Sequence, residues 1–220
     1  MTSTASASPS INASSPFFLC FFSPSLHSPD PQSRTLSQIL AWPDSRLEWS
    51  HDFIQLLFPL PENSAFASAP VVTQQVAEAF AASDELRGEL RKAFERMMGF
   101  YGLEVGVSST GTTVVTATEK IHTSSSNWLS SFNHNHLRIT RIIRSLRVLG
   151  CCGEAAAFWK FLQESDDVKK AVSARSLMYW ERAAERELRL PPYEEDTQAH
   201  GVKWLQDWEG RVRGANGAMV

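Results

Sequence analysis

Cysteine is scarce in this 220-residue sequence. The three cysteines are Cys20, Cys151 and Cys152, and none of them belongs to a Cys-x-x-Cys pair. An odd number without that spacing gives neither a disulfide framework nor a four-ligand zinc site. Because Cys151 and Cys152 are adjacent, we expect them to pack as small apolar side chains in a reducing compartment, with a vicinal redox pair as the alternative.

A long hydrophobic run is also missing. The longest candidate is Pro16 to Phe22, far shorter than the roughly 20 residues that a membrane-spanning helix needs. The N-terminal region lacks positive charge, since the first arginine is Arg34, so a secretory signal and a mitochondrial presequence both fit poorly. The sequence therefore predicts no transmembrane span and no signal peptide.

Residues 1–33 are rich in serine and proline. This composition predicts a disordered, low-complexity lead, because such a segment has little apolar surface to bury. The aromatic cluster from Phe17 to Phe22 departs from that pattern, since disordered segments are usually poor in aromatic residues. For this cluster, an ordered lead-in that packs on the following domain is the alternative.

Familiar catalytic motifs are absent from the sequence. There is no glycine-rich phosphate loop, no Gly-x-Ser-x-Gly elbow and no His-Glu-x-x-His. The pair His51 and Asp52 could suggest the dipeptide with which helical phosphohydrolases bind metal. However, His51 shares helical spacing with Leu47, Ile54 and Phe58, so we prefer to interpret it as a buried, hydrogen-bonded histidine. We predict no catalytic residue, no metal and no cofactor.

Acidic residues are missing from His134 to Gly150, a segment that instead carries an arginine at every third position. Isoleucine and leucine occupy the remaining face, so the segment predicts one amphipathic helix with a core side and a charged side. Asn133 or Asn135 can cap its start, and Gly150 suits the left-handed residue that ends it. The arginines are Arg138, Arg141, Arg144 and Arg147.

Helical periodicity covers most of the remaining chain after residue 34. Pattern and capping residues predict helices from Asp44 to Phe58, after Thr73, from Ser83 to the cap Gly102, and from Asp166 toward Leu188. Further helices are predicted from Ala155 to Leu162 and around Trp204, Leu205, Trp208 and Val212.

The helical pattern is lost in the Ser/Thr-rich segment from Leu103 to Ser131. Only Thr112 to Thr118 resembles a strand, so we expect an exposed loop or a small hairpin here. The predicted fold class is all-α, an irregular bundle of about seven helices. Residues 34–190 would form the domain, and residues 191–220 a linker and a C-terminal amphipathic helix.

Three sequence blocks resemble a known family. His134 to Ile142 (HNHLRITRI) is similar to the HNxLRITRI signature of the opioid growth factor receptor conserved domain. His51 to Leu60 (HDFIQLLFPL) and Met97 to Gly102 (MMGFYG) resemble two further blocks of that domain, in the same order. The resemblance covers about Leu36 to Leu190.

The resemblance implies a function without catalysis. Members of this family are described as receptors for an enkephalin-type opioid peptide that restrain proliferation, associate with membranes around the nucleus and enter it. It therefore implies a signalling receptor that is intracellular, nuclear or perinuclear, and peripherally membrane-associated. It also implies a peptide or protein ligand.

The arginine row has two interpretations. Residues 44–104 hold ten acids and five bases, whereas residues 105–150 hold one acid and five bases. The row could therefore be a solvated face that pairs with acids of the first segment, such as Glu48, Asp52 or Glu95. Alternatively, it could bind an anionic ligand. Nucleic acid is disfavoured, because the chain is not basic overall.

The sequence thus predicts a non-enzymatic receptor or interaction domain. The candidate ligand-binding residues are Arg138, Arg141, Arg144 and Arg147. The alternatives are a metal-dependent hydrolase that uses His51 and Asp52, and an anion-binding or nucleic-acid-binding module that uses the arginine row.

Overall fold

A computed structural model describes residues 11–63, 70–124, 128–195 and 201–217, with side chains up to residue 211. Residues 1–10 of the predicted lead, residues 196–200 of the predicted linker and the Val212 side chain lie outside the described part. The described elements are α1 (Phe17–Phe22), α2 (Leu36–Leu40), α3 (Asp44–Trp49), α4 (Ile54–Leu57), α5 (Gln74–Ala82), α6 (Asp84–Phe100), β1 (Leu103–Val107), β2 (Thr113–Ala117), α7 (Asn135–Val148), α8 (Cys152–Glu164), α9 (Asp166–Ala171), α10 (Ala174–Glu185) and α11 (Trp204–Gly217).

The prediction of an all-α fold with about seven helices is wrong. The described residues form eleven helices and a two-stranded antiparallel sheet, in which Val105 of β1 lies opposite Val115 of β2. Valine and threonine favour the pleated strand conformation, and here the two strands supply each other's backbone partners. Of the two structures expected for this segment, the small hairpin is the one that forms.

The helix count differs partly because two predicted helices are each divided. The predicted helix from Asp44 to Phe58 is split into α3 and α4, because Ser50 is extended (φ −88°, ψ 134°). The predicted helix from Asp166 is split into α9 and α10. There Val172 is extended, and the Ser173 hydroxyl accepts a hydrogen bond from the Ser176 backbone N–H and caps the second helix.

The predicted disordered lead is wrong for its aromatic cluster. Residues 17–22 form α1, in which every residue from Phe18 to Phe22 is buried. The Phe22 ring packs edge to face on the Phe80 ring of α5, with centroids 5.2 Å apart. Burying a phenylalanine side chain contributes about 1.5–3 kcal/mol, so this cluster stabilises an ordered lead-in.

Several predicted helix ends are confirmed. The hydroxyls of Thr73 and Ser83 accept hydrogen bonds from the N–H groups of Val76 and Leu86. Gly102 has φ +75°, and a Cβ at this position would lie 2.6 Å from a backbone atom of the neighbouring loop.

The predicted limits of α7 also agree with the structure. At the start, the Asn133 Oδ1 accepts from the Asn135 N–H at 2.8 Å, but the N-cap position is held by His134, whose side chain makes no capping bond, so neither predicted asparagine is the N-cap residue. Gly150, just beyond the end, has φ +84°. Between these ends α7 packs against α8 and α10. Its apolar side chains Ile139, Ile142, Ile143 and Leu146 are fully buried.

Candidate functional site

Arg138, the first arginine of the row, caps the C-terminal end of another helix. Arg138 donates from Nη1 to Leu47 O at 3.0 Å and from Nη2 to Ser50 O at 2.7 Å, while Glu48 O lies 3.3 Å from Nη2. The carbonyls of Leu47 and Glu48 lie in the last turn of α3 and that of Ser50 directly after it, where backbone oxygens have no partner within the helix. Arg138 therefore closes the C-terminal end of α3.

The other three arginines bind carbonyls in the same way. Arg141 donates to Phe58 O, just after α4, at 3.1 Å, and Arg144 donates to Leu188 O, beyond α10, at 2.7 Å. Arg147 donates to Ala183 O and Arg186 O at the end of α10, at 2.8 and 2.9 Å. A cation at a helix C-terminus also complements the negative end of the helix dipole.

Burial and ion pairing complete the environment of the row. Arg138, Arg144 and Arg147 are buried and Arg141 is half-buried, so the predicted solvated face is wrong. Pairing with the acidic first segment occurs at Arg144, which forms an ion pair with Glu62. The described contacts of the row are thus intramolecular, and anion binding through it stays a prediction.

The pair His51 and Asp52 does not take the predicted arrangement. His51 is exposed, and its ring lies edge to face with that of His134 at 5.7 Å, so the prediction of a buried histidine is wrong. Asp52 accepts from Gln32 and forms an ion pair with Arg34 at 3.0 Å. Burial would raise the pKa of Asp52, but the hydrogen bond and charge of Arg34 outweigh it and lower the pKa. In the described part of the chain, no group of three or more His, Cys, Asp or Glu residues could hold a metal ion.

A cleft that the sequence did not reveal opens beside the start of α7. It lies between the N-terminal half of α7 and the start of α10, and its cavity volume is ≈ 320 Å³. We call it the α7–α10 cleft. Its lining residues are Phe132, Asn133, His136, Leu137, Thr140, Ser173, Arg175, Ser176, Tyr179 and Tyr193.

Large apolar side chains border this cleft and face solvent. Phe132 is 85% exposed, Leu137 58% and Tyr193 43%. The Tyr193 ring lies beside the Tyr179 ring of α10, with centroids 5.5 Å apart. The walls are therefore aromatic and aliphatic surface in contact with water.

His136 fixes the inner side of the cleft. Its Nε2 lies 2.8 Å from Trp128 O, and its Nδ1 lies 2.8 Å from the Ser176 hydroxyl. Because a carbonyl only accepts, Nε2 carries the proton and Nδ1 accepts from Ser176. Burial lowers the pKa of His136, despite the opposing hydrogen bond to Trp128. A neutral histidine thus joins α7, α10 and the loop that holds Trp128.

The lining of the cleft carries a positive charge and no negative charge. Arg175 is exposed, and no lining residue carries a carboxylate. The Arg175 guanidinium lies 5.8 Å from the centre of the Tyr179 ring, and its Nη2 donates to the Tyr179 hydroxyl at 3.3 Å. Among the described residues, no carboxylate forms an ion pair with it. The cleft can therefore receive an apolar group together with a negative charge.

Leu137 is the residue from which this site could have been predicted in the sequence. It lies outside the isoleucine stripe of α7, at spacings of four and seven from Arg141 and Arg144, and so belongs to the polar side of the helix. An apolar residue in such a position predicts an exposed apolar side chain, and only its clustering with others around a cleft marks an interaction site. The opposite side of the cleft comes from residues 173–193, about 35 to 55 positions away, which no local pattern connects to α7.

Among the described helices, none combines the length and apolarity that crossing a bilayer would require.

Comparisons with known proteins agree with the three sequence blocks. Residues 18–189 match the family model described as the opioid growth factor receptor (OGFr) conserved region. The chain is 39% identical to the opioid growth factor receptor of Mus musculus over 125 residues, which are 56% of this chain and 19% of that protein. It is 37% identical to the Homo sapiens protein of the same name over 131 residues, 59% of this chain and 19% of that protein.

A second group of relatives is more distant. The opioid growth factor receptor-like protein 1 of Mus musculus is 32% identical over 111 residues, 48% of this chain and 22% of that protein. The chain therefore spans about a fifth of the length of the curated relatives it matches. No solved structure matches it. Since the family model extends over most of the sequence, from α1 to beyond α10, the chain belongs to the opioid growth factor receptor family.

Proposed function

We propose that this chain is a non-enzymatic receptor-family domain that binds a peptide or protein ligand in the α7–α10 cleft. Family membership supports a receptor role, because its relatives are named as receptors. The cleft supplies the place for a ligand. The proposal excludes enzymatic activity and assigns a catalytic role to no residue.

The observation that carries this proposal is the clustering of exposed apolar side chains. Six large apolar side chains of the described residues are exposed, and three of them, Phe132, Leu137 and Tyr193, border this one cleft. Scattered apolar residues are normal on a protein surface, whereas a cluster around a concavity marks an interaction site.

The ligand class to test first is an opioid-type peptide, because the relatives carry that ligand in their name. Signalling, location in or around the nucleus, and peripheral association with membranes are parts of the same proposal. Location can be followed with a fluorescent fusion of the chain in cells.

The binding test uses Met-enkephalin titrated into the purified chain by calorimetry. Leu137→Asp places a charge in the cleft wall and is expected to abolish binding. Val107→Asp is the matched control, because Val107 is 73% exposed and lies on the hairpin rather than at the cleft. Hydrogen exchange with and without peptide shows whether α7 and α10 become protected.

Two results would contradict the proposal. Equal peptide affinity in the two aspartate variants would move the site away from the cleft. A metal-dependent turnover that is abolished in His51→Ala would contradict the non-enzymatic part and favour the hydrolase alternative.

A further inference from the structure

We infer that the α7–α10 cleft selects a peptide segment in which an aromatic side chain is followed directly by a carboxylate, with Arg175 pairing with the carboxylate. This inference rests on the proposed function, since it names the chemistry of the ligand for the same site. It depends on three properties of the cleft: its walls, its hydrogen-bonding groups and its charge.

The walls suit one aromatic side chain. Phe132, Leu137 and the adjacent, mutually tilted rings of Tyr179 and Tyr193 offer apolar surface on several sides. Aromatic rings pack well edge to face or offset against one another. The cavity volume of ≈ 320 Å³ is at the low end of the roughly 300–1,000 Å³ of ligand pockets. The cleft thus has room for one or two side chains rather than for a folded domain.

The polar groups of the inner side are already engaged. The Ser176 hydroxyl contacts His136 Nδ1 at 2.8 Å, and the Ser173 hydroxyl caps α10 by accepting from the Ser176 N–H. The Thr140 hydroxyl donates to His136 O at 3.0 Å. A polar side chain would exchange its hydrogen bonds with water for few new ones here, so the buried part of the ligand is apolar.

The charge at the rim suits a single carboxylate. Arg175 is the one permanently charged residue among those that line the cleft. Glu195, the acid that acts on it from farther away, is held by Arg182 at 3.4 Å. A guanidinium binds a carboxylate through two parallel hydrogen bonds, whereas recognition of phosphorylated motifs uses clusters of arginines. One arginine therefore favours the carboxylate.

The test uses three fluorescein-labelled hexapeptides with blocked ends. The first contains Phe followed by Asp between glycine pairs, the second replaces Phe by Ala, and the third replaces Asp by Asn. Anisotropy titrations give the three dissociation constants for the full chain and for Arg175→Gln. Lys170→Gln is the matched control, since Lys170 is an exposed cation on α9 that does not line the cleft.

The expected result has two parts. The Phe–Asp peptide binds at least about tenfold more tightly than either replaced peptide. The advantage of Asp over Asn disappears in Arg175→Gln and persists in Lys170→Gln. Thermal unfolding of both variants near the wild-type temperature would show that the loss is not a loss of folding.

Each other result overturns the inference. Equal binding of the Asp and Asn peptides, or an unchanged preference in Arg175→Gln, would remove the role of Arg175. Absence of Phe–Asp binding at millimolar concentration would remove the motif. In all these cases the proposed function still stands if Met-enkephalin binding is lost in Leu137→Asp, so the two failures are distinguishable.

Discussion

Two kinds of side chain on α7, the apolar Leu137 and the arginines of the row, differ in their exposure to solvent. Leu137, an apolar residue, is 58% exposed, whereas its neighbour Arg138 is 4% exposed. The buried guanidinium is explained by the carbonyls at the end of α3, which lie within hydrogen-bonding distance. No contact inside the described structure explains the exposed leucine in this way, and this is the end of α7 at which we propose that a ligand binds.

The comparison shows why a row of arginines need not be a binding surface. The last four carbonyls of a helix lack partners, and each one that is buried needs a donor. A guanidinium has five donors in one plane, so a single arginine can bind several carbonyls. Arg96 serves α2 in the same way, with donations to Leu40 O at 3.1 Å and Trp42 O at 2.7 Å.

The largest expected loss of stability follows the substitution of a buried arginine of the row. Arg144→Met removes a donor to Leu188 O and leaves the Glu62 carboxylate without its cation. Removing one member of a buried ion pair typically costs about 3–5 kcal/mol, and we expect the lower end of this range because Glu62 is partly exposed. Urea denaturation should show a loss of this size.

Two further variants test the cause of that loss. Arg144→Met combined with Glu62→Met should be less destabilised than Arg144→Met alone, because no charge is left unpaired. Lys160→Met, on the exposed surface of α8, should change the free energy of unfolding by less than about 0.5 kcal/mol. A loss of stability in Lys160→Met as large as that in Arg144→Met would contradict the distinction between buried and exposed cations.

A somewhat smaller effect is expected at Arg138. Arg138→Met leaves the carbonyls of Leu47 and Ser50 without their donor, at a cost of about 2–3 kcal/mol. Arg138→Lys should recover part of this loss, because an ammonium group can replace some of the hydrogen bonds but not the planar fork. Hydrogen exchange should show faster opening of α3 in both variants, and unchanged exchange there would contradict the capping role.

The pH dependence of stability tests the inner side of the cleft. Burial lowers the pKa of His136, and it also lowers that of His134, where the charge of Arg138 adds to the effect. The unfolded chain has an ordinary histidine pKa of about 6.5 and therefore takes up protons first as the pH falls. Stability should be fully present above about pH 6.5 and decline below it until the pH reaches the folded pKa values.

Urea denaturation between pH 5 and 8 measures this slope. His136→Gln should flatten it in part, because Gln can still donate to Trp128 O without titrating. The double variant His134→Gln/His136→Gln should flatten it further. A slope that is the same in the wild type and the double variant would assign the pH dependence to other groups.

The smallest effect on stability is expected for a substitution of the exposed Leu137. Leu137→Ser should change the free energy of unfolding by less than about 0.5 kcal/mol, because the side chain is mostly in water. Peptide affinity should nevertheless fall at least about tenfold in the anisotropy assay. A large loss of stability in this variant would show that Leu137 packs on the domain rather than serving a ligand.

The helix ends that the sequence predicted correctly depend on local contacts. Thr73 and Ser83 each bond an N–H group three residues ahead, so both partners lie within one short stretch of sequence. Gly150 adopts a backbone conformation that its own residue type favours. For the same reason the limits of α7 could be derived from its sequence alone.

The divided helix around Ser50 could not be predicted in this way. The apolar spacing from Leu47 to Phe58 fits one continuous helix, which would also place His51 on its buried stripe. The carbonyls in this segment are instead taken by Arg138, which is about 90 positions away in the chain. Every residue has a backbone carbonyl, so no pattern of side chains marks the ones that a distant arginine will bind.

The contacts of Arg138 also bear on the order in which the protein can form. The hydrogen bond to Leu47 O joins residues that are 91 positions apart. Chain closure over such distances slows folding. During synthesis, α3 emerges long before the helix that completes it, so its end stays exposed to water until α7 has been made. We therefore expect the first 130 residues to remain incompletely folded, and the domain to reach its native state only when α7 docks.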